Sequence, residues 1–390
     1  MRKLTGLSLA AGAALGLAAL VAPATAGADG YGGGWTSGGW NPGGGDHVVF
    51  VQTDNTAGNQ VVAYDRADNG TLTQKHIYAT GGLGGVLTGS VVDHLASQGS
   101  LTYDPRNNLL YAVNAGSDTV SVFSVWGDQL TLRQVVNSGG SFPVSVAVHG
   151  NLVYVVNAEN GGTLQGYFVA FDRLVPLPGS GRALDLNAAT TPQFTNTPGQ
   201  VAFSPNGSQL IVTTKANGSG IDVFGVGYFG YLSAAPVVNA EPGAVPFGVT
   251  FDPAGHLVVA ESSSTTPAVA TFALNPNGTV TQLALVPTGE AATCWIAPDG
   301  GFFYASNAGS ATLSGYQESG GSGALSLLGT TNTDPGTVDA SASANGQFLY
   351  AQTGADGIVD EFHVNGNGTL TEVGSVTVPG AVGGEGIVAF

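Results

Sequence analysis

Charge is scarce in this 390-residue chain. Only 9% of residues are Asp, Glu, Lys or Arg, and nine Lys and Arg face 26 Asp and Glu. Two of those nine bases, Arg2 and Lys3, sit at the extreme N-terminus. A net charge of -17 disfavours nucleic acid as a partner, because phosphate backbones are gripped by basic stripes. Phosphorylated sugars fit poorly for the same reason, with Lys215, Arg182 and Arg173 as the only phosphate partners in reach. Cysteine is almost absent. Cys294 stands alone, which excludes an intramolecular disulfide, and its apolar surroundings from Ala292 to Ala297 read as a buried, inert thiol. The six His are scattered without metal-ligand spacing, so no zinc or copper site is expected. No Gly-x-Ser-x-Gly elbow occurs. The glycines of Gly81 to Gly89 lack the Lys of a phosphate loop. Beyond the N-terminus no run approaches the ~18 apolar residues of a membrane helix.

The N-terminus carries the one long apolar run. Arg2 and Lys3 precede Leu4 to Val21, and Ala24-Thr25-Ala26 is a small-x-small cleavage site. Residues 1–26 therefore read as a secretory signal peptide, and the protein as secreted and extracellular. Residues 27–45 are Gly-rich with Trp35 and Trp40, a composition that suits a flexible linker. The remaining chain, 46–390, is expected to be one domain.

That domain is written in one repeated phrase. Its clearest copies are Leu110-Tyr111-Ala112-Val113-Asn114, Val153-Tyr154-Val155-Val156-Asn157 and Phe303-Tyr304-Ala305-Ser306-Asn307; weaker copies end at Thr53, Thr214, Glu261 and Thr353. Seven copies of an all-strand unit about 40–50 residues long predict an all-β, seven-bladed β-propeller with four antiparallel strands per blade. Each copy is the second strand of a blade. Inner strands precede them, and turns such as Asp104-Pro105 and Asp252-Pro253 join the two. Asn-Gly-Thr recurs at residues 69–71, 277–279 and 367–369, before the fourth strand, where hairpin chemistry explains it better than glycosylation. The first blade lacks an inner strand. Gly386 to Phe390 supplies it, so the chain end should close the ring. Two long segments, Gly81 to Gly99 and Phe171 to Thr197, read as loops over one face.

The text Asn114-Ala115-Gly116-Ser117-Asp118-Thr119-Val120-Ser121-Val122-Phe123, with Pro205-Asn206-Gly207 and Asn367-Gly368-Thr369-Leu370-Thr371, resembles the seven-bladed β-propeller lactonase family, which includes 6-phosphogluconolactonase-type and 3-carboxymuconate cyclase-like proteins. The resemblance covers roughly His47 to Phe390. It implies hydrolysis of a small lactone at the channel mouth by a His, a Glu and channel Arg residues. At the corresponding places this chain reads Pro198-Gly199-Gln200, Thr214-Lys215-Ala216 and Pro143-Val144-Ser145, so none of those residues is present.

Site candidates must then come from this chain's own polar positions. Glu261 is the one carboxylate at a second-strand end, where Asn and Thr serve turns elsewhere, and Lys215 lies one position past that point in the preceding blade. The pair reads either as an ion pair across blades or as a catalytic couple. In the second case Glu261 activates water and Lys215 stabilises the oxyanion. Gln98, Asn114, Asn157, Gln200, Asn307, Asp339 and Glu385 are candidate substrate-binding residues around the mouth. Ordered water is the simplest content of the channel. A hard cation such as calcium is the kind its oxygens would suit, and no other cofactor and no protein metal site is expected. The alternative to a lactonase is a non-catalytic propeller that binds a ligand, glycan or protein. Either reading has a small molecule or an extracellular polymer as partner, no nucleic acid, no membrane, and a monomeric chain.

Overall fold

The computed structural model describes residues 47–390, so the expected signal peptide and Gly-rich linker lie outside the described residues. Seven antiparallel sheets of four strands follow one another along the chain, with strands in sequence order except that the C-terminal strand takes the inner place of the first sheet. The third sheet adds a short strand, Arg182–Ala183, beside Thr163–Ala170. Among the described residues no helix is long and apolar enough to cross a membrane.

Two repeated sequence signals prove to be halves of one contact. In three blades the Tyr of the second strand is fully buried and reaches into the next blade. Tyr304 Oη donates to Gly368 O at 3.0 Å, Tyr350 Oη to Gly70 O at 2.8 Å, and Tyr154 Oη to Gly230 O at 2.8 Å. Each acceptor is a glycine in the turn between third and fourth strands. Gly70 and Gly368 have φ of 93° and 80°, a region that favours glycine. In the same turns Asn69 and Asn367 Oδ1 accept from the Thr two residues on, which is the hairpin role expected for Asn-Gly-Thr. Blades are thus stacked by apolar faces, and these three Tyr rings end on satisfied hydroxyls.

Closure is made by the chain end. Ile387–Ala389 pairs antiparallel with Val48–Gln52, in the register Val49↔Ala389 and Val51↔Ile387. Phe390 then stacks on Tyr103 of the second blade, with ring centroids 4.4 Å apart. The last residues therefore bind the first blade to the second as well as completing a sheet.

One boundary differs from expectation. The segment after Phe171 is not wholly irregular: Arg173–Pro176 is the fourth strand of the third blade, and the long connection begins after it. Pro176, at its end, and Pro178 obscured a strand only four residues long.

Candidate functional site at the channel mouth

Strand alternation gives the ring two faces. One carries the turns between second and third strands and the crossings from one blade to the next. The other carries the remaining hairpin turns. The candidate residues lie on the first, here called the crossing face.

The seven second-strand ends are all buried. At six of them the side chain closes the turn that follows. Asn114 Nδ2 donates to Ser121 Oγ at 2.8 Å and to Thr119 Oγ1 at 3.1 Å. Asn307 Nδ2 does the same with Ser314 and Thr312, and its Oδ1 accepts from Thr293 Oγ1 at 2.6 Å. Asn157 Nδ2 donates to Ser138 O and Thr163 Oγ1, each at 3.3 Å. Thr53, Thr214 and Thr353 bond the start of the third strand in the same way. Asn114, Asn157 and Asn307 are therefore occupied by the fold.

The channel residues act as stitches between inner strands. Gln200 Oε1 accepts from Val249 N of the next blade at 2.6 Å. Gln98 both donates to Ile296 O and accepts from Ile296 N, at 2.9 Å each, across to the sixth blade. Asp339 is buried beside the closing strand, and Ala340 N donates to its Oδ1 at 3.0 Å.

Why the mouth is closed follows from the first crossing. Residues 93–99 run over the channel axis and bond groups from four blades. His94 N donates to Gly383 O at 2.8 Å, Ser97 Oγ to Val144 O at 2.8 Å and Gln98 N to Gly199 O at 3.0 Å, while Trp295 Nε1 donates to Ser97 O. Ala96, with φ of 50°, turns the segment inward, and Leu95, Ala96 and Ser97 are buried. The second long crossing packs beside it through Phe194 N to Thr88 O at 3.4 Å and Thr88 N to Gln193 Oε1 at 3.0 Å.

Lys215 fastens both crossings. The residue is 1% exposed, and its ammonium donates to Ala96 O at 2.6 Å, Phe194 O at 2.6 Å and Thr197 Oγ1 at 3.0 Å. The Phe247 ring lies 5.2 Å from Nζ. Burial lowers its pKa to about 8, against the pull of Asp93 and Glu385. No ion pair joins Lys215 to Glu261 among the described residues, so the cross-blade pair read from the sequence does not form. The reason is physical: a buried ammonium must place all three donors, and the crossings offer three acceptors on the axis.

Under the plug lies a set of carboxyl groups. Glu385 accepts from Ser97 N at 3.1 Å and from Ser97 Oγ, and its own N donates to Asp54 Oδ2 at 2.9 Å. Asp93 Oδ1 accepts from Ala96 N at 2.8 Å, and its carboxyl lies close enough to Glu385 to raise that group's proton affinity. Burial raises the pKa of Asp54 to about 7 and of Asp339 to about 7. Burial raises Asp93 too, and pushes Glu385 well above the carboxylate range, with Asp93 adding to the effect. Two neighbouring carboxyls in a dry place disfavour ionising together. Among the described residues no three His, Cys, Asp or Glu side chains are arranged to hold a metal ion. Cys294 is buried, donates to Ser262 Oγ at 3.3 Å, and has its thiol pushed up to about 12, first by burial.

Glu261 stands apart. It is 5% exposed, no hydrogen bond reaches its carboxylate among the described residues, and burial with the Glu241 charge raises its pKa to about 7. It has a general base's proton affinity but little exposed surface. Sequence reasoning found Lys215, Glu261, Asp339 and Glu385, but missed Asp54, Asp93 and Ser97. Asp93 lay in a loop already singled out, yet nothing local to it showed that the loop would cross the axis.

Comparison with known proteins agrees with this architecture. The family model for the lactonase 7-bladed β-propeller matches residues 47–168 and 91–389. No curated protein matches this chain by sequence. A periplasmic gluconolactonase of Pseudomonas aeruginosa is similar in structure, with TM-score 0.66 and 18% identity over 87% of this chain and 98% of that one. A Lactobacillus plantarum protein gives 0.66 and 22% over 86% and 98%. A chain of a nidogen/laminin complex gives 0.51 and 13% over 88% and 97%. At these identities each likeness is one of fold. The extent of the family match settles the lineage: the chain belongs to the seven-bladed β-propeller lactonase family.

Proposed function

We propose that this protein is an exported propeller that works by binding rather than by turning over a lactone. The carrying observation is the plug. The axis at the crossing face is filled by residues 93–99, and Lys215, the group best placed to stabilise an oxyanion, has its donors committed to Ala96, Phe194 and Thr197. A catalytic donor must be free to meet charge that develops on the substrate. The family fold is compatible with this role, since it resembles both a gluconolactonase and a chain from a nidogen/laminin complex. The test is a pH-stat assay of γ- and δ-lactones with purified protein. No hydrolysis above buffer is expected, and turnover that vanishes in Glu261→Gln would overturn the reading.

A second reading is lactone hydrolysis, favoured by Glu261, a carboxyl with no hydrogen-bond partner among the described residues and a pKa of about 7. With the crossings displaced, Glu261 would take a proton from water as the water oxygen attacks the carbonyl carbon. As the ester C–O bond of the tetrahedral intermediate breaks, Glu261 would return that proton to the leaving alkoxide to give a hydroxy acid, and Lys215 would face the oxyanion.

A further inference from the structure

The face opposite the plug carries a surface cleft of about 380 Å³ between the first and second blades. Val48, Asp65, Lys75, Trp126, Asp128 and Gln129 line it. Trp126 closes the third strand of its blade, where no core requires a large ring, and is 58% exposed. Its surroundings are held in place by one another. Lys75 Nζ lies 3.3 Å from Asp65 Oδ2. Gln129 Nε2 donates to Asp128 Oδ1 at 2.9 Å and lies 2.7 Å from His76 Nε2, while Tyr78 Oη donates to Asp128 O at 3.2 Å. A flat apolar wall beside fixed donors and acceptors is the make-up of a small-molecule site.

The same edge continues as a row of aromatic tips. The third-to-fourth-strand turns of the next two blades present Phe171, 95% exposed, and Tyr228 and Phe229, 96% and 76% exposed. Elsewhere the equivalent turns are Asn69-Gly70, Asn277-Gly278, Ser319-Gly320 and Asn367-Gly368, with no ring. Exposed rings on consecutive repeats, each costing water contact, mark a surface kept for a partner.

Charge selects the partner. No Lys or Arg occurs after Lys215, so the whole chain repels polyanions. At the edge itself charges are matched: Lys75 with Asp65, and Arg133 with Asp172 at 3.3 Å. A lipid surface would draw Asp128 and Asp172, beside the rings, into the interface, which is unfavourable. A neutral, hydroxyl-rich chain complements all of this. We infer that the cleft is a carbohydrate-binding site for a neutral polysaccharide, in which the Trp126 indole stacks on a sugar ring, Asp65, Asp128 and Gln129 bond its hydroxyls, and Phe171, Tyr228 and Phe229 contact further units.

The test is affinity electrophoresis of the full protein in gels containing hydroxyethyl cellulose, laminarin, yeast mannan or alginate, with a flotation assay on phosphatidylcholine vesicles. Retardation by at least one neutral glycan is expected, weakened about tenfold or more in Trp126→Ala with its thermal melt unchanged. A Phe171→Ala/Tyr228→Ala variant should lose binding to the polymer while keeping that to a short oligosaccharide of it, which tests the row even if Trp126→Ala folds poorly. Binding to alginate alone, flotation with vesicles alone, retardation indifferent to all these substitutions, or no binding at all would each overturn the site. The inference rests on the binding reading above, and the outcomes separate them. Lactone turnover together with glycan binding ends only that reading, and absence of both ends only this site.

Discussion

The two faces of this ring are made from the same repeat and have opposite fates. Around the centre of the crossing face most polar side chains are spent inside the molecule. Asn114 and Asn307 close turns, Gln200 and Gln98 stitch blades, and Lys215 fastens two crossings. At the other face polar and aromatic groups are left to solvent, from the cleft at Trp126 to Tyr228. The difference comes from geometry. Inner strands converge at the axis, so a group there has no access to water and must find a partner in the protein. Turns at the outer edge meet no such demand, and their sequence is free to serve something else.

Removing Gly386 to Phe390 should break the comparison most completely. It opens the sheet edge at Val48–Gln52, removes the Phe390 contact with Tyr103, and unseats Glu385 from beneath the plug. Loss of the cooperative thermal transition, or a Tm lower by about 10 °C or more, is expected. A truncated protein melting like the parent would show that ring closure contributes little.

Lys215→Met comes next, since it leaves Ala96 O, Phe194 O and Thr197 Oγ1 without their donor, and Asp93 and Glu385 without a nearby cation. A loss of about 3 kcal/mol in denaturant unfolding is expected, at the scale of an uncompensated buried charge. The sharper readout is hydrogen exchange. Protection should fall in residues 93–99 and 193–197 and stay unchanged at Gln129–Asn137 on the open edge. Uniform loss would mean that Lys215 is no local fastener.

The smallest effect separates the faces by pH. Asp54, Asp339 and Glu261 have folded pKa values of about 7, raised mainly by burial, against about 4 when unfolded. Between those limits the folded protein binds more protons than the unfolded chain, so these groups favour folding fully below pH ~4 and that contribution is lost as pH rises through about 7. Stability should therefore fall from pH 5 to pH 8 by a few kcal/mol in sum. Glu261→Gln, which cannot ionise, should flatten part of that slope by raising stability at pH 8. Denaturant midpoints at the two pH values check it, and an equal slope in the variant would place the titration elsewhere.

Particular residues show how much was legible. The Tyr and Asn of the second strand and the Asn-Gly-Thr of the outer turn were visible as repeats, because each blade solves the same packing problem and must repeat the solution. That the Tyr hydroxyl of one blade ends on the turn glycine of the next was not visible, since the partners lie in different repeats: Tyr350 and Gly70 are at opposite ends of the chain. Glu261 and Lys215 drew notice together for a shared position along their blades. The strand register does keep their backbones close, with Pro246 bonded to Lys215 N and paired with Glu261. Their side chains part because only one of them can satisfy its charge on the axis.

Periodicity, turn residues and the chain end determined the seven blades, their strand order and the closing strand, because these depend on local chemistry repeated every blade. Only the tertiary structure decided that residues 93–99 cross the axis, that Lys215 holds them there, and that Asp54, Asp93 and Glu385 meet beneath. Two of those contacts join Lys215 to Ala96, 119 residues away, and Glu385 to Asp54, 331 residues away, brought together by closing the ring.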